Sequence, residues 1–319
     1  MNKKNTLILS FLTLLILGIV SMSNTGIYSS ENEFYKTFKE KYNIYALPKP
    51  AKDLFFCNER VPLENPDIWE RYDKELLKNA YWQSSTLLLQ KRAAKYFPII
   101  EEILAKNNVP DDFKYLALIE SGLENVTSPA GAKGFWQILK TTGREFGLEI
   151  NKEVDERYHI EKSTQIACDF LNKSYKKFDS WTMAAASYNM GRAGLARQVK
   201  RQKENSYYDL ILNQETSRYL FRIIAVKQIM EKPGKHGFNL VENDYYNYIP
   251  TNEIVVDTTV NNLADFANLY QINYKILKLH NPWLREAYLP NKSRKKYTIK
   301  IPQKGYYFFN HSNNSDSIN

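Results

Sequence analysis

The sequence has few of the cysteines and histidines that bind zinc and other transition metals. It contains only two cysteines, Cys57 and Cys168, and four histidines, and their positions do not have the spacing of a metal-binding motif. We therefore expect no metal site and no cofactor. The two cysteines could form one disulfide in an oxidising compartment or remain as two free thiols. Both alternatives stay open at this stage.

The sequence also has little continuous hydrophobicity. One apolar run, from Leu7 to Val20, follows two lysines and is shorter than the roughly 20 residues that a membrane-spanning helix requires. This pattern is typical of a signal peptide with cleavage near Ser23, or of an uncleaved signal anchor. No cysteine directly follows the run, which excludes a lipoprotein attachment site. We expect residues 1–23 to direct export to the periplasm or cell envelope, with membrane anchoring as the open alternative.

Acidic residues are outnumbered by basic ones, and the formal net charge is +9. Such an excess occurs in nucleic-acid-binding proteins, but the sequence has neither a helix-turn-helix pattern nor an aromatic RNA-binding signature. For an exported chain, a polyanionic cell envelope is the expected partner. We therefore expect no nucleic-acid partner.

The pattern of apolar residues predicts a mainly α fold in two domains. Residues 24–65 have little periodicity and contain several prolines, so we expect a connecting arm. Helical periodicity dominates residues 66–235, with Pro98 near a helix start, and predicts an all-α domain. A β-α-α-β order follows over residues 250–304. The polar residues 305–319 are expected to form a disordered tail.

One carboxylate lies in the most apolar part of a predicted helix. In the stretch KYLALIESGLENVTSPAGAKGFWQI, Glu120 follows apolar residues on the same helix face, namely Phe113, Leu116 and Ala117. Their neighbours are apolar too, so we expect this helix to be buried on most sides. Burial disfavours a charged carboxylate, and we expect a raised pKa for Glu120, as a general acid requires. The alternative is a structural carboxylate paired with Arg or Lys.

The residues that follow this helix are suited to a sugar ligand. The sequence SPAGAKGFWQ, residues 128–137, combines the hydroxyl of Ser128, the indole of Trp136 and the amide of Gln137 with two glycines. Glycine allows the backbone to approach a ligand closely, and hydroxyl and amide groups provide hydrogen bonds for sugar hydroxyls. The alternative is an ordinary turn with a core tryptophan.

Two further stretches carry candidate residues. In SWTMAAASYNMGRAG, small residues precede Tyr188 and permit close helix packing, so its hydroxyl needs a buried partner. Glu120 is a candidate partner, and a backbone carbonyl is the alternative. In NQETSRYLFRIIAVKQIM, Glu215 lies in the first helical turn, where a carboxylate stabilises a helix without any further function.

Together these stretches resemble the lytic transglycosylases with a goose-type lysozyme-like fold, especially the membrane-bound type D group. The resemblance rests on ESGLENVTSPAGAKGFWQI, ASYN and QETSRYL in this order and covers about residues 69–230. It implies a lysozyme-like, all-helical catalytic domain that acts on peptidoglycan glycan strands. Ser187 replaces the alanine that is usual in the second motif, and Trp136 stands where many members have methionine, as it does in the type D group.

The resemblance also implies roles for individual residues. Glu120 corresponds to the catalytic acid/base, and Ser128 to the serine that supports this glutamate or the acetamido group of the substrate. Gln137 corresponds to the glutamine of the cleft, Tyr188 to the tyrosine of the AYN motif and Glu215 to the acid of the ET motif. The expected substrate-binding residues are Ser128, Trp136, Gln137, Tyr188 and Glu215.

The C-terminal β-α-α-β unit resembles a LysM domain, a fold that binds N-acetylglucosamine chains. The usual Gly-Asp-Thr turn is replaced by VDTTV at residues 256–260, and a long basic stretch precedes YTIKIP. We expect peptidoglycan anchoring and chemistry to lie on separate units. Removal of residues 251–319 would then leave the cleavage of soluble glycan fragments nearly unchanged.

The resemblance implies a mechanism with a single acid/base residue. A conventional glycosidase places two carboxylates across the scissile bond, and the residues near Glu120 offer no evident second one. By resemblance, the glutamic acid protonates the oxygen between N-acetylmuramic acid and N-acetylglucosamine, and then removes a proton from the 6-hydroxyl as a 1,6-anhydro ring closes. Two alternatives stay open: a muramidase that releases the reducing sugar to water, and a non-catalytic peptidoglycan-binding scaffold.

Overall fold

The computed structural model describes residues 33, 36, 37, 40, 44–50 and 52–307. The chain divides into a unit of residues 1–48 and a unit that begins at residue 49. The predicted leader, residues 1–23, and the predicted tail beyond residue 307 lie outside the described residues. No helix in the described part of the chain is long and apolar enough to cross a membrane.

Helices dominate the unit that begins at residue 49, which confirms the predicted mainly α fold. The α-helices that precede the C-terminal residues are α1 (Pro66–Tyr81), α2 (Gln83–Lys106), α3 (Lys114–Ser121), α4 (Lys140–Glu145), α5 (Ile160–Phe178), α6 (Trp181–Met190), α7 (Arg192–Gln202) and α8 (Gln214–Glu231).

The ends of these helices follow from local side-chain chemistry. Helix α1 begins at Pro66, whose fixed φ suits the first helical position. The side chain of Asn213 caps α8 by accepting a 2.8 Å hydrogen bond from the N–H of Thr216. Helix α3 ends at Gly122, which adopts a φ of +62°. The sequence placed Pro98 near a helix start, but it lies inside α2.

The core of the helical part forms around α6 and α8. Helix α8 packs against α1, α3 and α6. The residues from Ala184 to Ala186 on α6 are completely buried, which confirms the close packing that the small side chains predict. On α8, the fully buried side chains are Thr216, Leu220, Phe221, Ile223, Ile224, Ala225 and Ile229.

A β-hairpin lies where the sequence predicted only a connecting arm. Strands β1 (Leu54–Phe56) and β2 (Glu59–Val61) pair antiparallel. The ring of Phe56 is fully buried and packs edge-to-face on Phe113, with 5.4 Å between the ring centroids. The N–H of Cys57 donates a 2.6 Å hydrogen bond to Asp112. The arm prediction is therefore wrong for the hairpin, because side chains that alternate over only three residues give no detectable period.

Both cysteines are buried free thiols, which decides between the two alternatives left open by the sequence. Burial raises the pKa of Cys168 to about 12 and raises that of Cys57 still further. Each thiol therefore stays protonated and serves as a small apolar side chain. Among the described residues, no group of His, Cys, Asp and Glu side chains could hold a metal ion.

The C-terminal residues fold in the predicted order β-α-α-β. The elements are β3 (Thr251–Val256), α9 (Leu263–Leu269), α10 (Tyr274–His280) and β4 (Tyr297–Pro302). The two strands pair antiparallel, with Thr251 opposite Pro302. Leu263, Leu277 and Ile299 are fully buried in a shared core.

The hairpin gives a stability prediction with an internal control. Phe56→Ala should lower the free energy of unfolding by about 3–5 kcal/mol, because the substitution leaves a cavity beside Phe113. Phe55→Ala, the same change at a side chain that is 45% exposed, should cost no more than about 0.5 kcal/mol. Denaturant unfolding followed by circular dichroism measures both values. Equal losses for the two variants would contradict a packed hairpin.

Candidate active site

The first candidate residue, Glu120, lies in the last turn of a buried helix. A 3₁₀ turn of residues Asp111–Phe113 leads into α3. Leu116 and Ala117 are completely buried, so the carboxylate extends from an apolar stripe. Helix α3 ends at Ser121, and the left-handed Gly122 that follows turns the chain away and leaves Glu120 at the edge of the core.

Glu120 lines an open cavity of about 850 Å³. The walls come from α1, α2, α8 and the end of α3, and they combine cationic, aromatic and aliphatic side chains. Residues that illustrate this mixture are Trp82, Leu89, Arg92, Arg222 and Val226. Trp82 is 69% exposed, so its ring face is available to a ligand, as pyranose rings require. The cavity therefore offers both a carboxyl group and a stacking surface.

The environment raises the pKa of Glu120 to about 7. Burial is the main cause, because it disfavours the charged carboxylate. The hydroxyl of Tyr219 donates a hydrogen bond to the carboxylate and, together with the positive charge of Arg222, lowers the pKa. The negative charge of Glu215 raises it again. The expectation of a raised pKa for Glu120 is confirmed, and both protonation states are accessible near neutral pH.

Tyr219, not Tyr188, is the hydrogen-bond partner of Glu120. The hydroxyl of Tyr188 donates a 2.8 Å hydrogen bond to the carbonyl of Trp136, so the carbonyl alternative is the correct one. Tyr188 still lies near the carboxylate, because the charge of Glu120 contributes, after burial, to raising the pKa of Tyr188 well above its ordinary value. The QETSRYL stretch contains Tyr219, but its sequence could not tell which tyrosine reaches Glu120.

Hydrogen bonds connect the separate sequence stretches around this carboxylate. Asn189 of the ASYN stretch accepts a 2.6 Å hydrogen bond from Thr216 and donates a 3.2 Å hydrogen bond to Glu215. Ser121, next to Glu120, donates a 2.8 Å hydrogen bond to the carbonyl of Phe135. Glu215 is exposed at the start of α8. These bonds join the ASYN stretch to the QETSRYL stretch, and the end of α3 to the loop that follows it.

The loop that carries Ser128 and Gln137 folds back on itself. The Ser128 hydroxyl accepts a 3.1 Å hydrogen bond from the N–H of Ala132. The Gln137 amide donates to the carbonyl of Gly134 at 2.8 Å. Both side chains are half-buried, and neither lines the 850 Å³ cavity. In this structure their polar groups therefore shape the loop beside Glu120.

Trp136 does not offer a surface to a sugar, although the sequence predicted substrate binding. Its side chain is completely buried, and its indole N–H donates a 2.8 Å hydrogen bond to the hydroxyl of Thr164. A ring that is enclosed on all sides cannot stack on a ligand. Trp136 is therefore a core residue beneath the loop, which was the alternative interpretation of this stretch.

The other carboxylates in the cavity wall are paired with arginines. Glu75 accepts a 2.6 Å hydrogen bond from Arg218, and its side chain is almost completely buried. Glu124 lies 2.6 Å from a guanidinium nitrogen of Arg92. These ion pairs distinguish both residues from Glu120, whose carboxylate is held by a neutral tyrosine hydroxyl. Of these three cavity-lining carboxylates, Glu120 has the environment of a proton donor.

Comparison with known proteins assigns both parts of this unit. Residues 97–211 match the family described as "Transglycosylase SLT domain", and residues 252–305 match the "Soluble lytic transglycosylase C-terminal LysM-like domain". Residues 97–211, which include Glu120, therefore contain a transglycosylase SLT domain, and a LysM-like domain follows at residues 252–305.

The chain is homologous to membrane-bound lytic murein transglycosylase D of Escherichia coli. It is 32% identical to the proteins of strains K12 and O6:H1 over 187 residues, which cover 57% of this chain but only 40% of each relative. The chain is also 28% identical to a protein of Alteromonas sp. (strain M-1) that is named for tributyltin chloride resistance. That match covers 52% of this chain and 83% of the length of the relative. The crystal structure of the 70 kDa soluble lytic transglycosylase of Escherichia coli overlaps 48% of this chain and 27% of that one, with 18% identity and a TM-score of 0.38.

The hydrogen bond from Tyr219 can be tested without a substrate. Tyr219→Phe removes a donor that stabilises the charged carboxylate, so the pKa of Glu120 should rise above its value of about 7. Tyr188→Phe is the matched control, because the Tyr188 hydroxyl is directed at Trp136; it should shift the pKa less. Carbon-detected NMR titration of ¹³C-labelled glutamate measures both. A pKa that stays unchanged in Tyr219→Phe would show that the hydroxyl does not hold the carboxylate.

Proposed function

We propose that this protein is a peptidoglycan lytic transglycosylase in which Glu120 is the catalytic acid and base. The bond cleaved is the one between N-acetylmuramic acid and N-acetylglucosamine. The observation that carries this proposal is a carboxyl group with a pKa of about 7, in the wall of an open cavity, within an SLT domain. The homology to lytic murein transglycosylase D supports the same reaction.

The geometry around Glu120 suits a residue that donates a proton and then recovers it. Burial keeps a large fraction of the carboxyl group protonated near pH 7, so a proton is available for the glycosidic oxygen. Once that proton has left, the hydrogen bond from Tyr219 and the charge of Arg222 stabilise the carboxylate. Because the two effects oppose each other, neither protonation state is strongly favoured. One residue can therefore act first as an acid and then as a base.

The second step determines which product forms. The 6-hydroxyl of N-acetylmuramic acid is attached to the reacting sugar, so it competes with water through proximity, an advantage that can reach about 7 kcal/mol or more. The carboxylates that a hydrolase could use as a second acid are engaged elsewhere, Glu124 by Arg92 and Glu215 by Asn189. Closure of a 1,6-anhydro ring, with Glu120 accepting the proton of the 6-hydroxyl, is therefore favoured over hydrolysis.

Substrate binding extends beyond the catalytic residue. We propose that Ser128, Gln137, Tyr188 and Glu215 contribute to it through the loop and the network around Glu120. Trp82 provides an exposed ring in the cavity wall, and the LysM-like domain provides affinity for the glycan strand. The net charge of +9 is suited to the carboxylates of peptidoglycan. These features support a location in the cell envelope, with membrane anchoring if the leader is retained.

Replacement of the catalytic residue tests the proposal directly. Glu120→Gln keeps the shape of the side chain but cannot exchange a proton, so solubilisation of purified sacculi should fall below about 1% of the wild-type rate. Glu102→Gln, at an exposed glutamate of α2 that pairs with Lys106, should retain full activity. Circular dichroism must show that both variants are folded. Activity of Glu120→Gln above a few per cent of wild type would exclude Glu120 from this role.

The products distinguish a lytic transglycosylase from a muramidase. Digestion of sacculi should release muropeptides that end in 1,6-anhydro-N-acetylmuramic acid, each lighter by one water than the hydrolysed species, without a rise in reducing sugar. Mass spectrometry and a reducing-end assay on one digest measure both. If reducing ends increase in step with solubilisation and anhydro species are missing, the protein is a hydrolase. If neither forms and sacculi still bind the protein, it is a scaffold.

A further inference from the structure

The LysM-like domain is joined to one particular segment of the SLT domain, residues 149–161. Val154 forms a β-bridge with Leu284, in the loop that follows α10. The N–H of Asp155 donates a 2.9 Å hydrogen bond to the carbonyl of Trp283. The N–H of Arg285 donates a 2.7 Å hydrogen bond to the backbone carbonyl of Glu153. The contact is therefore a short backbone ladder, in agreement with the division of the chain, which keeps residues 49–319 in one unit.

Apolar side chains of the same segment complete the core of the LysM-like domain. Val154 and Tyr158 are buried in the cluster that contains Trp283, Leu284 and Ile299. The guanidinium of Arg285 lies over the ring of Tyr158, at 4.3 Å from its centroid. Separation of the two domains would expose these groups to water. The packing therefore resembles the interior of a single domain more than a contact between independent ones.

Strand β4 and Lys295, two residues before it, add three polar contacts to this segment. Lys295 lies 2.5 Å from Glu149, and the hydroxyl of Tyr297 donates to the same carboxylate at 3.0 Å. Lys300 forms an ion pair with Glu161. Burial alone would raise the pKa of Glu161, but His159 and Lys300 outweigh it and lower the pKa to about 2. Glu161 therefore remains charged and paired at any physiological pH.

The opposite side of the segment supports the loop beside Glu120. The buried guanidinium of Arg157 is held by Asp155 at 2.7 Å and donates to the carbonyls of Gly131 at 3.1 Å and Ile138 at 3.3 Å. Gly134 packs so closely that a Cβ atom there would lie 2.0 Å from the carbonyl oxygen of Arg157. The loop of residues 126–138 is thus held against the segment that the LysM-like domain contacts.

The same loop is also bonded to residues that adjoin the proposed catalytic carboxylate. The carbonyl of Phe135 accepts the hydrogen bond of Ser121, the residue that follows Glu120, and the carbonyl of Trp136 accepts that of Tyr188. A displacement of the loop would therefore move Ser128 and Gln137 relative to Glu120. Misplacement by about 1 Å can cost up to about a hundredfold in rate.

We propose that the LysM-like domain positions the active-site loop, with Lys295, Tyr297 and Lys300 as positioning residues that act through the segment 149–161 and Arg157. The role of the domain is thus not limited to anchoring. This inference rests on the proposed function for its effect on rate, but its effect on the loop does not depend on any activity. It replaces the expectation that chemistry and anchoring lie on separate units.

The ion pair between Lys300 and Glu161 allows a test with matched variants. Lys300→Glu places two carboxylates opposite each other and should lower kcat on short, soluble, uncross-linked glycan strands by about tenfold, with a smaller change in KM. The exchanged pair Lys300→Glu/Glu161→Lys, and Lys300→Arg, should recover most of that loss. Lys275→Glu, the same charge change at an exposed position of α10, is the control and should leave kcat unchanged.

Hydrogen exchange provides the readout that is independent of catalysis. In Lys300→Glu the backbone amides of Ser128, Gly134 and Ile138, which are hydrogen-bonded within or beside the loop, should exchange about tenfold faster, while those of α8 should not change. The exchanged pair should restore protection. If Lys300→Glu is folded and neither the hydrogen exchange of the loop amides nor kcat changes, the inference is overturned. If the wild-type protein has no activity but the loop amides of Lys300→Glu exchange faster, only the proposed function is overturned.

Discussion

The structure depends on keeping one carboxylate out of water while leaving it within reach of a ligand. Glu120 lies at the end of a buried helix, and burial brings its pKa to about 7. An unpaired buried carboxylate is costly, so the fold provides a neutral donor, Tyr219, rather than a cation in direct contact. A direct ion pair with a cation would favour the charged form and remove the proton that a general acid needs.

The packing of the helices follows from this requirement. Helix α3 delivers Glu120, α8 delivers Tyr219, and the small residues of α6 let Tyr188 reach the carbonyl of Trp136. Trp136 in turn is fixed in the core by Thr164. Each contact satisfies a buried polar group. The proposed active site and the core of the helical part of the chain are therefore built from the same residues.

The loop beside Glu120 lies between two supports. On one side it is bonded to the helices of the SLT domain, through Ser121 and Tyr188. On the other side it rests on Arg157, whose segment is part of the core of the LysM-like domain. Gly134 permits this close contact because it has no side chain and adopts a φ of +77°. The geometry of the loop is thus set by contacts on both of its sides.

Local patterns in the sequence were sufficient for the helices, the β-α-α-β order and the burial of Glu120, because helical periodicity places apolar residues on one face regardless of their partners. They also identified the stretches that meet at the site. They did not identify Tyr219 as the partner of Glu120, the burial of Trp136 or the hairpin at Leu54–Val61. Each of these depends on which helices pack together, and residues far apart in the chain carry no local sign of that. The contact between the two domains was missed for the same reason. In the sequence, Lys300 on β4 and Glu161 at the start of α5 are ordinary charged residues, and only the fold brings them together.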